Sequence, residues 1–317
     1  MKFISFRERE RTAAGLLLGE EVLDLAAAAR LAEERADLSS VLAIIRGADA
    51  ALATCERLQA RARSLTAALL PAGQLHVLAP IPDPVRNIFC VGRNYLEHVQ
   101  EAATLGRTQG RPEVPQFFTK ATHTLIGPGM NVRLDRRITQ RLDYEVELAV
   151  VIGRGGRDIP ASQALEHVFG YSIANDVTAR DLQRRHDQWF KGKSLDTTLP
   201  MGPCIVTRDE IGDPRSLELS LSVNGQERQR ARVEQMIFDI PTLIESLSAG
   251  LTLEAGDIIS TGTPAGVGYA MTPPQFLQDG DEMLARIERI GELRNRVVEA
   301  RSPQVAPVAQ LDRAHPS

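Results

Sequence analysis

No stretch of the chain restricts its fold more than Asp143-Tyr-Glu-Val-Glu-Leu-Ala-Val-Val-Ile-Gly153. In an extended strand, residues two apart point to the same side. Glu145 and Glu147 therefore project together, followed on that side by Ala149 and Val151, while Tyr144, Val146, Leu148 and Val150 line the other. Both sides turn apolar beyond the glutamates, as in a strand covered on two faces. Two like charges at the mouth of such a strand repel and need a counter-ion, and a hard divalent cation held by carboxylate oxygens fits. A Glu-x-Glu pair taken alone is more often a solvated strand face.

A third carboxylate is available in Ile173-Ala-Asn-Asp-Val-Thr-Ala-Arg-Asp181, where a strand ends and a helix is expected to start. Thr178 and Asp181 have the spacing of a capping box for that helix. Asp176 can be a ligand or ordinary Asn-Asp turn chemistry. Three carboxylates would leave roughly three octahedral positions for substrate and water, as a catalytic Mg²⁺ requires. No His/Cys cluster at zinc spacing competes. Lys191 and Lys193 are surface decoration if they stand alone, or one of them is an enolate-stabilising cation if they lie beside a carboxylate site. Gln188 and Trp189 precede them and either wall a pocket or pack. His98 and Glu101 share a helix face at i,i+3, as an exposed ion pair or as a base with its orienting carboxylate. Gly106, Gly110, Pro112 and Pro115 suit a lid after that helix.

Hydrophobic residues make up 43% of the 317 and charged residues 25%, an ordinary globular balance. A net charge of −4 gives no basic surface for nucleic acid. No run is long and apolar enough to span a membrane, the charged opening does not resemble a signal peptide, and three scattered cysteines read as reduced, so a cytoplasmic protein is expected. Residues 1–75 read as a small N-terminal domain, 76–84 as a Pro-rich linker, 85–299 as the catalytic domain and 300–317 as a disordered tail. Strands are expected at Asn87–Val91, Glu145–Ile152, Val168–Ala174, Pro203–Thr207, Leu217–Val223, Asp257–Thr261 and Glu282–Ile287, with helices at Ala179–Arg185 and Ile240–Ser248. Asn224-Gly225 marks a hairpin. Strands and helices do not alternate regularly, which argues for an α+β or mainly β domain rather than a doubly wound sheet.

Five segments in order carry a resemblance. Val91-Gly-Arg-Asn-Tyr-Leu-Glu-His98, Tyr144-Glu-Val-Glu-Leu148, Asn175-Asp-Val-Thr-Ala-Arg-Asp181, Lys191-Gly-Lys-Ser194 and Gly256-Asp-Ile-Ile-Ser-Thr-Gly-Thr-Pro-Ala-Gly-Val-Gly268 look like the fumarylacetoacetate hydrolase superfamily. Within it the chain resembles the bacterial acylpyruvase, oxaloacetate decarboxylase and sugar-acid hydrolase branches. The resemblance implies an α+β fold with a C-terminal mixed β-roll behind a small N-terminal α/β domain, and a homodimer. It implies Mg²⁺, or Mn²⁺, on Glu145, Glu147 and Asp176, with Lys193 beside the substrate. The Thr261-Gly262-Thr263 turn becomes a substrate-carboxylate contact, and His98 with Glu101 become the lid pair that activates water; Arg93 and Gln188 are also expected to contact the substrate. The expected reaction is metal-dependent hydrolysis of a C–C bond in a small 2-oxo acid such as an acylpyruvate. Decarboxylation of an oxaloacetate-like acid and isomerisation or hydration of a dienoate are the alternatives on the same site, and a non-catalytic metal-binding protein is a fourth.

Overall fold

The computed structural model describes residues 1–8, 11–104 and 110–300, with backbone alone for 102–104. The tail beyond residue 300 and Gly106 of the expected lid lie outside them.

The strand Val146–Ile152 is buried at every position and sits inside a mixed sheet of twelve strands among the described residues. It runs antiparallel to Val168–Asn175 on one side and to Ile258–Ser260 on the other. Beyond Ile258–Ser260 come Ile88–Gly92, parallel, and Gln116–Lys120 at the edge. In the other direction Leu199–Thr207 joins Val168–Asn175 to Lys2–Glu8, so the sheet continues into the N-terminal strands. The Pro-rich segment contributes His76–Leu78, which also pairs with Lys2–Glu8. A second sheet runs Gln226–Arg232, Glu218–Val223, Glu282–Ile287, Gly291–Glu299 and Asn131–Leu134. Asn224 and Gly225 make its hairpin turn with φ of 51° and 77°, the left-handed pair that a type I′ turn demands.

Two cores meet on the central strand. Val146, Leu148, Val150 and Ile152 face the second sheet and the helix Ile240–Ser248. Ala149 and Val151 face Phe3, Leu16, Ile44 and Leu58 of the N-terminal segment, whose helices Leu25–Leu31, Val41–Arg46 and Ala48–Ala60 cover that side. Among the described residues no helix is long and apolar enough to cross a membrane. The expected strands are found with ends shifted by a residue or so. Leu199–Thr207 differs more, since it begins four residues before Pro203, where Leu199 and Pro200 pair with Leu125–Ile126. The capping box does not form. Thr178 lies in a two-residue strand paired with Leu142–Asp143 and gives its hydroxyl to the Asp176 carbonyl, while Asp181 accepts from Thr139. The helix Arg180–Arg185 starts one residue too late for Thr178 to cap it.

Candidate active site at the mouth of a buried strand

Strand register brings the carboxylates together. Asn175 pairs with Val146, so the chain leaving the second strand delivers Asp176 next to Glu145, and the Asp176 amide donates to the Glu145 carbonyl at 2.8 Å. Glu145, Glu147 and Asp176 are all buried, and one oxygen from each lies within 4.8 Å of the others. Glu147 is held by the Ser260 hydroxyl at 2.5 Å and the Gly262 amide at 2.9 Å, both on Oε2. Gly262 has φ +99°, and a Cβ there would lie 2.7 Å from that of Asn94, so the turn that makes this bond needs glycine.

Three buried cations answer these charges. Lys193 Nζ donates to Glu145 Oε2 at 2.7 Å and Asp176 Oδ2 at 2.6 Å. Lys120, fully buried at the end of the edge strand, donates to Asp176 Oδ1 at 2.7 Å and the Val177 carbonyl at 2.9 Å. Arg180 reaches Glu145 Oε1 at 2.5 Å and Asp143 Oδ2 at 2.9 Å, with its guanidinium 4.5 Å from the Tyr269 ring centre. Asp143 also accepts from the Gly268 and Tyr269 amides at 2.8 and 3.0 Å, which fixes that loop against the arginine. The remaining Arg180 nitrogen, Nη2, is buried and finds no hydrogen-bond partner among the described residues.

Burial favours neutral forms, but the cations divide the carboxylates. Burial alone would raise Glu145; Lys193 and Arg180 overrule it and hold it down at about 2. Glu147 has no cation hydrogen-bonded to it among the described residues, so burial, with Asp176 and Glu145 beside it, pushes it up to about 8 against the pull of Lys193 and the Ser260 hydroxyl. Lys193 is pushed down by burial, yet Asp176 and Glu145 carry it above the ordinary lysine range. Burial dominates at Lys120 and lowers it. Hard oxygens in a tight buried cluster, one of them on a glutamate pushed up by its carboxylate neighbours, fit a hard divalent cation.

A cavity of about 340 Å³ opens onto this cluster, lined among others by Glu145, Glu147, Lys193, His98, Arg93 and Thr263. His98 is 8% exposed and sits on the helix Leu96–Thr104 with Nδ1 3.4 Å from Glu101 Oε2. Glu101 in turn accepts from the Gly266 amide at 3.0 Å, which ties the helix to the loop after Thr263. Arg93 reaches the cavity from a left-handed backbone, φ 54°, and donates to Gln116 at 3.0 Å. Lys193 is buried, whereas Lys191 is exposed. Thr263 lines the cavity; Thr261 does not, because its hydroxyl turns back to the Leu148 carbonyl at 2.9 Å. Gln188 is exposed and outside the lining, and Gln183, one turn after Arg180, takes the place in the wall. Sequence reasoning passed over Arg180 and Gln183, although Arg180 lies inside the quoted Asn175–Asp181 segment. Lys120 had one visible signal, a lone lysine closing the apolar Phe117-Phe118 run.

Comparison with known proteins places these features in a wider set. A family model described as fumarylacetoacetate (FAA) hydrolase, C-terminal, matches residues 87–298. Oxaloacetate tautomerase YisK of Bacillus subtilis is 44% identical over 303 residues, covering 94% of this chain and 100% of that protein. A fumarylacetoacetate hydrolase from Exiguobacterium antarcticum superposes with a TM-score of 0.78 at 40% identity, over 95% of this chain and 100% of the other. Maleylpyruvate hydrolase from Sphingobium, solved with manganese(II) and pyruvate, superposes with a TM-score of 0.73 at 30% identity over 95% of this chain and 100% of the other.

Proposed function

The chain belongs to the fumarylacetoacetate hydrolase family, and on that premise we propose that it interconverts the keto and enol forms of a small 2-oxo acid of the oxaloacetate type. Glu145, Glu147 and Asp176 would hold Mg²⁺, or Mn²⁺, as the donor set and the manganese in a neighbouring structure suggest. A divalent cation there supplies Lewis-acid polarisation of the substrate oxygens.

The observation that carries the proposal is His98, leaning on Glu101 and facing the same cavity as Lys193 and the unpaired nitrogen of Arg180. Tautomerisation moves a proton between the carbon next to the carbonyl and the carbonyl oxygen. It needs a base at the carbon and fixed positive charge where the oxygen turns anionic. With Nδ1 directed at Glu101, His98 has Nε2 left to take and return that proton. Lys193, kept protonated by its carboxylate neighbours, supplies a compact charge at the oxygen. Arg180, clamped by Asp143 and stacked on Tyr269, offers its buried nitrogen to a substrate oxygen or carboxylate.

Hydrolytic C–C cleavage is the second possibility, because the same His98–Glu101 pair can deprotonate water and a structural neighbour is a maleylpyruvate hydrolase. Decarboxylation needs the cations but no base. The test is to follow enol absorbance of oxaloacetate, pyruvate release from an acylpyruvate panel and CO₂ release in parallel with Mg²⁺. Tautomerisation above the spontaneous rate, and lost in His98→Ala, is expected. Acceleration of acylpyruvate cleavage alone would replace it with hydrolysis, and no acceleration would sink both.

A further inference from the structure

The cavity lining carries two unlike sets of side chains. One is ionic, built on the carboxylates, Lys193 and Arg180. The other is apolar and centres on Trp189, the single tryptophan of the chain, which is half-buried and lines the cavity. Trp189 immediately precedes the one-turn helix Phe190–Lys193, and the Lys193 amide donates to its carbonyl at 3.1 Å. Side chains four apart on a helical turn share a face, so the indole and the Lys193 ammonium enter the cavity from one rigid unit.

Two contacts seat the indole on the sheet face below it. The Phe118 ring meets it edge-on, with centroids 5.4 Å apart and planes at 68°. That same ring lies 4.9 Å beneath the Lys193 ammonium. The indole also lies against Gly92, which shares a sheet face with Phe118, and an added Cβ there would come within 2.6 Å of the ring. The absent side chain at position 92 is the space the indole fills. At about 340 Å³ the cavity is near the small end of ligand sites, roughly 300–1,000 Å³.

We propose that Trp189 is the specificity-determining residue of this site, a fixed wall that stops the substrate chain a short distance beyond its 2-oxo acid head. The inference rests on the 2-oxo acid reading above and adds the class of acid admitted: short and unbranched, with longer or aryl-bearing chains excluded by the indole.

Calorimetric titration of straight-chain 2-oxo acids, from pyruvate to 2-oxooctanoate, into the Mg²⁺-loaded protein tests it without requiring any reaction. Affinity of the unsubstituted protein should fall as the chain lengthens. In Trp189→Ala the long-to-short affinity ratio should rise at least about tenfold, the lower end of what one methylene is worth at a shape-limited pocket, and Trp189→Phe should lie between. An unchanged ratio in variants that melt cooperatively overturns the proposal. If Trp189→Ala does not fold, Trp189→Phe and the tryptophan emission of the unsubstituted protein decide. Saturating pyruvate should shift that emission, and an emission unmoved at concentrations calorimetry shows to saturate overturns the wall. Failure of every acid to bind the unsubstituted protein would instead overturn the 2-oxo acid reading.

Discussion

Replacing Lys120 by methionine removes a charge that has no surface role, since the side chain is fully buried and spends its donors on Asp176 and the Val177 carbonyl. Among the described residues the site sets four buried carboxylates, Asp143, Glu145, Glu147 and Asp176, against three buried cations, Lys120, Arg180 and Lys193. Lys193 cannot compensate, because it already occupies the other Asp176 oxygen. Methionine matches the stem, so little is lost in packing; what is lost is the partner of a buried charge. Breaking such a pair from one side costs about 3–5 kcal/mol. At about 2 °C per kcal/mol for a chain of this size, the melting temperature should drop by roughly 6–10 °C. Saturating Mg²⁺ should narrow the gap, since it adds positive charge beside the same carboxylates. Scanning calorimetry of both proteins, with chelator and with Mg²⁺, measures each term. A Lys120→Met protein that melts with the unsubstituted one in chelator would refute the view that these charges are unscreened and mutually dependent.

Asp176→Ala should abolish the Mg²⁺-dependent rise in melting temperature, because the two remaining glutamates cannot hold a cation that dehydrates reluctantly; calorimetric affinity equal to the unsubstituted protein's removes Asp176 from the site. Glu147, at about 8, sits above its ordinary 4.5, so its contribution to stability is present below about pH 4.5 and lost as pH rises toward about 8. Cation binding must expel that proton, so Mg²⁺ affinity should rise about tenfold per pH unit up to about pH 8 and then level off, and titrations in buffers of different ionisation enthalpy should register one proton released. His98→Ala should slow tautomerisation or hydrolysis by about 10²–10⁴ while sparing any decarboxylation, with Glu101→Gln milder; equal loss of all activities would make the helix a cover that only excludes solvent.

What could be read from the sequence follows a physical rule. Glu145 and Glu147 were visible because strand periodicity is local, and the two apolar faces beyond them announced a buried strand. Asp176 was visible as the end of the next strand. The residues missed are fixed by contacts that cross the chain. Lys120 meets Asp176 across 56 positions and Arg180 meets Asp143 across 37, distances set by sheet register that no window reveals. Gln188 drew notice by its nearness to Lys193, yet Gln183 faces the cavity because it lies one helical turn from Arg180. The expected capping box failed for the same reason: Leu142–Asp143 pairs with Thr178–Ala179 and pulls Thr178 into a strand.

The seam between Lys2–Glu8 and Leu199–Thr207 has a consequence in time. Lys2 pairs with Val206, so 206 − 2 = 204 positions separate the partners. At ribosomal rates of about 5–20 residues per second, the first strand waits roughly 10–40 s for its neighbour to be synthesised. Its hairpin with Arg11–Leu18 is local and can form at once, with Phe3 and Phe6 still lacking most of the surface that will bury them. Within that interval the N-terminal helices can cover Phe3 and His76–Leu78 can close the edge at Ser5–Arg7, but Phe6 and the Lys2–Phe3 end of the edge stay open, features that recruit chaperones or partner chains. The part of the sheet that leaves the ribosome first is thus among the last to be seated, and yield at high expression should depend on how well that waiting hairpin is shielded.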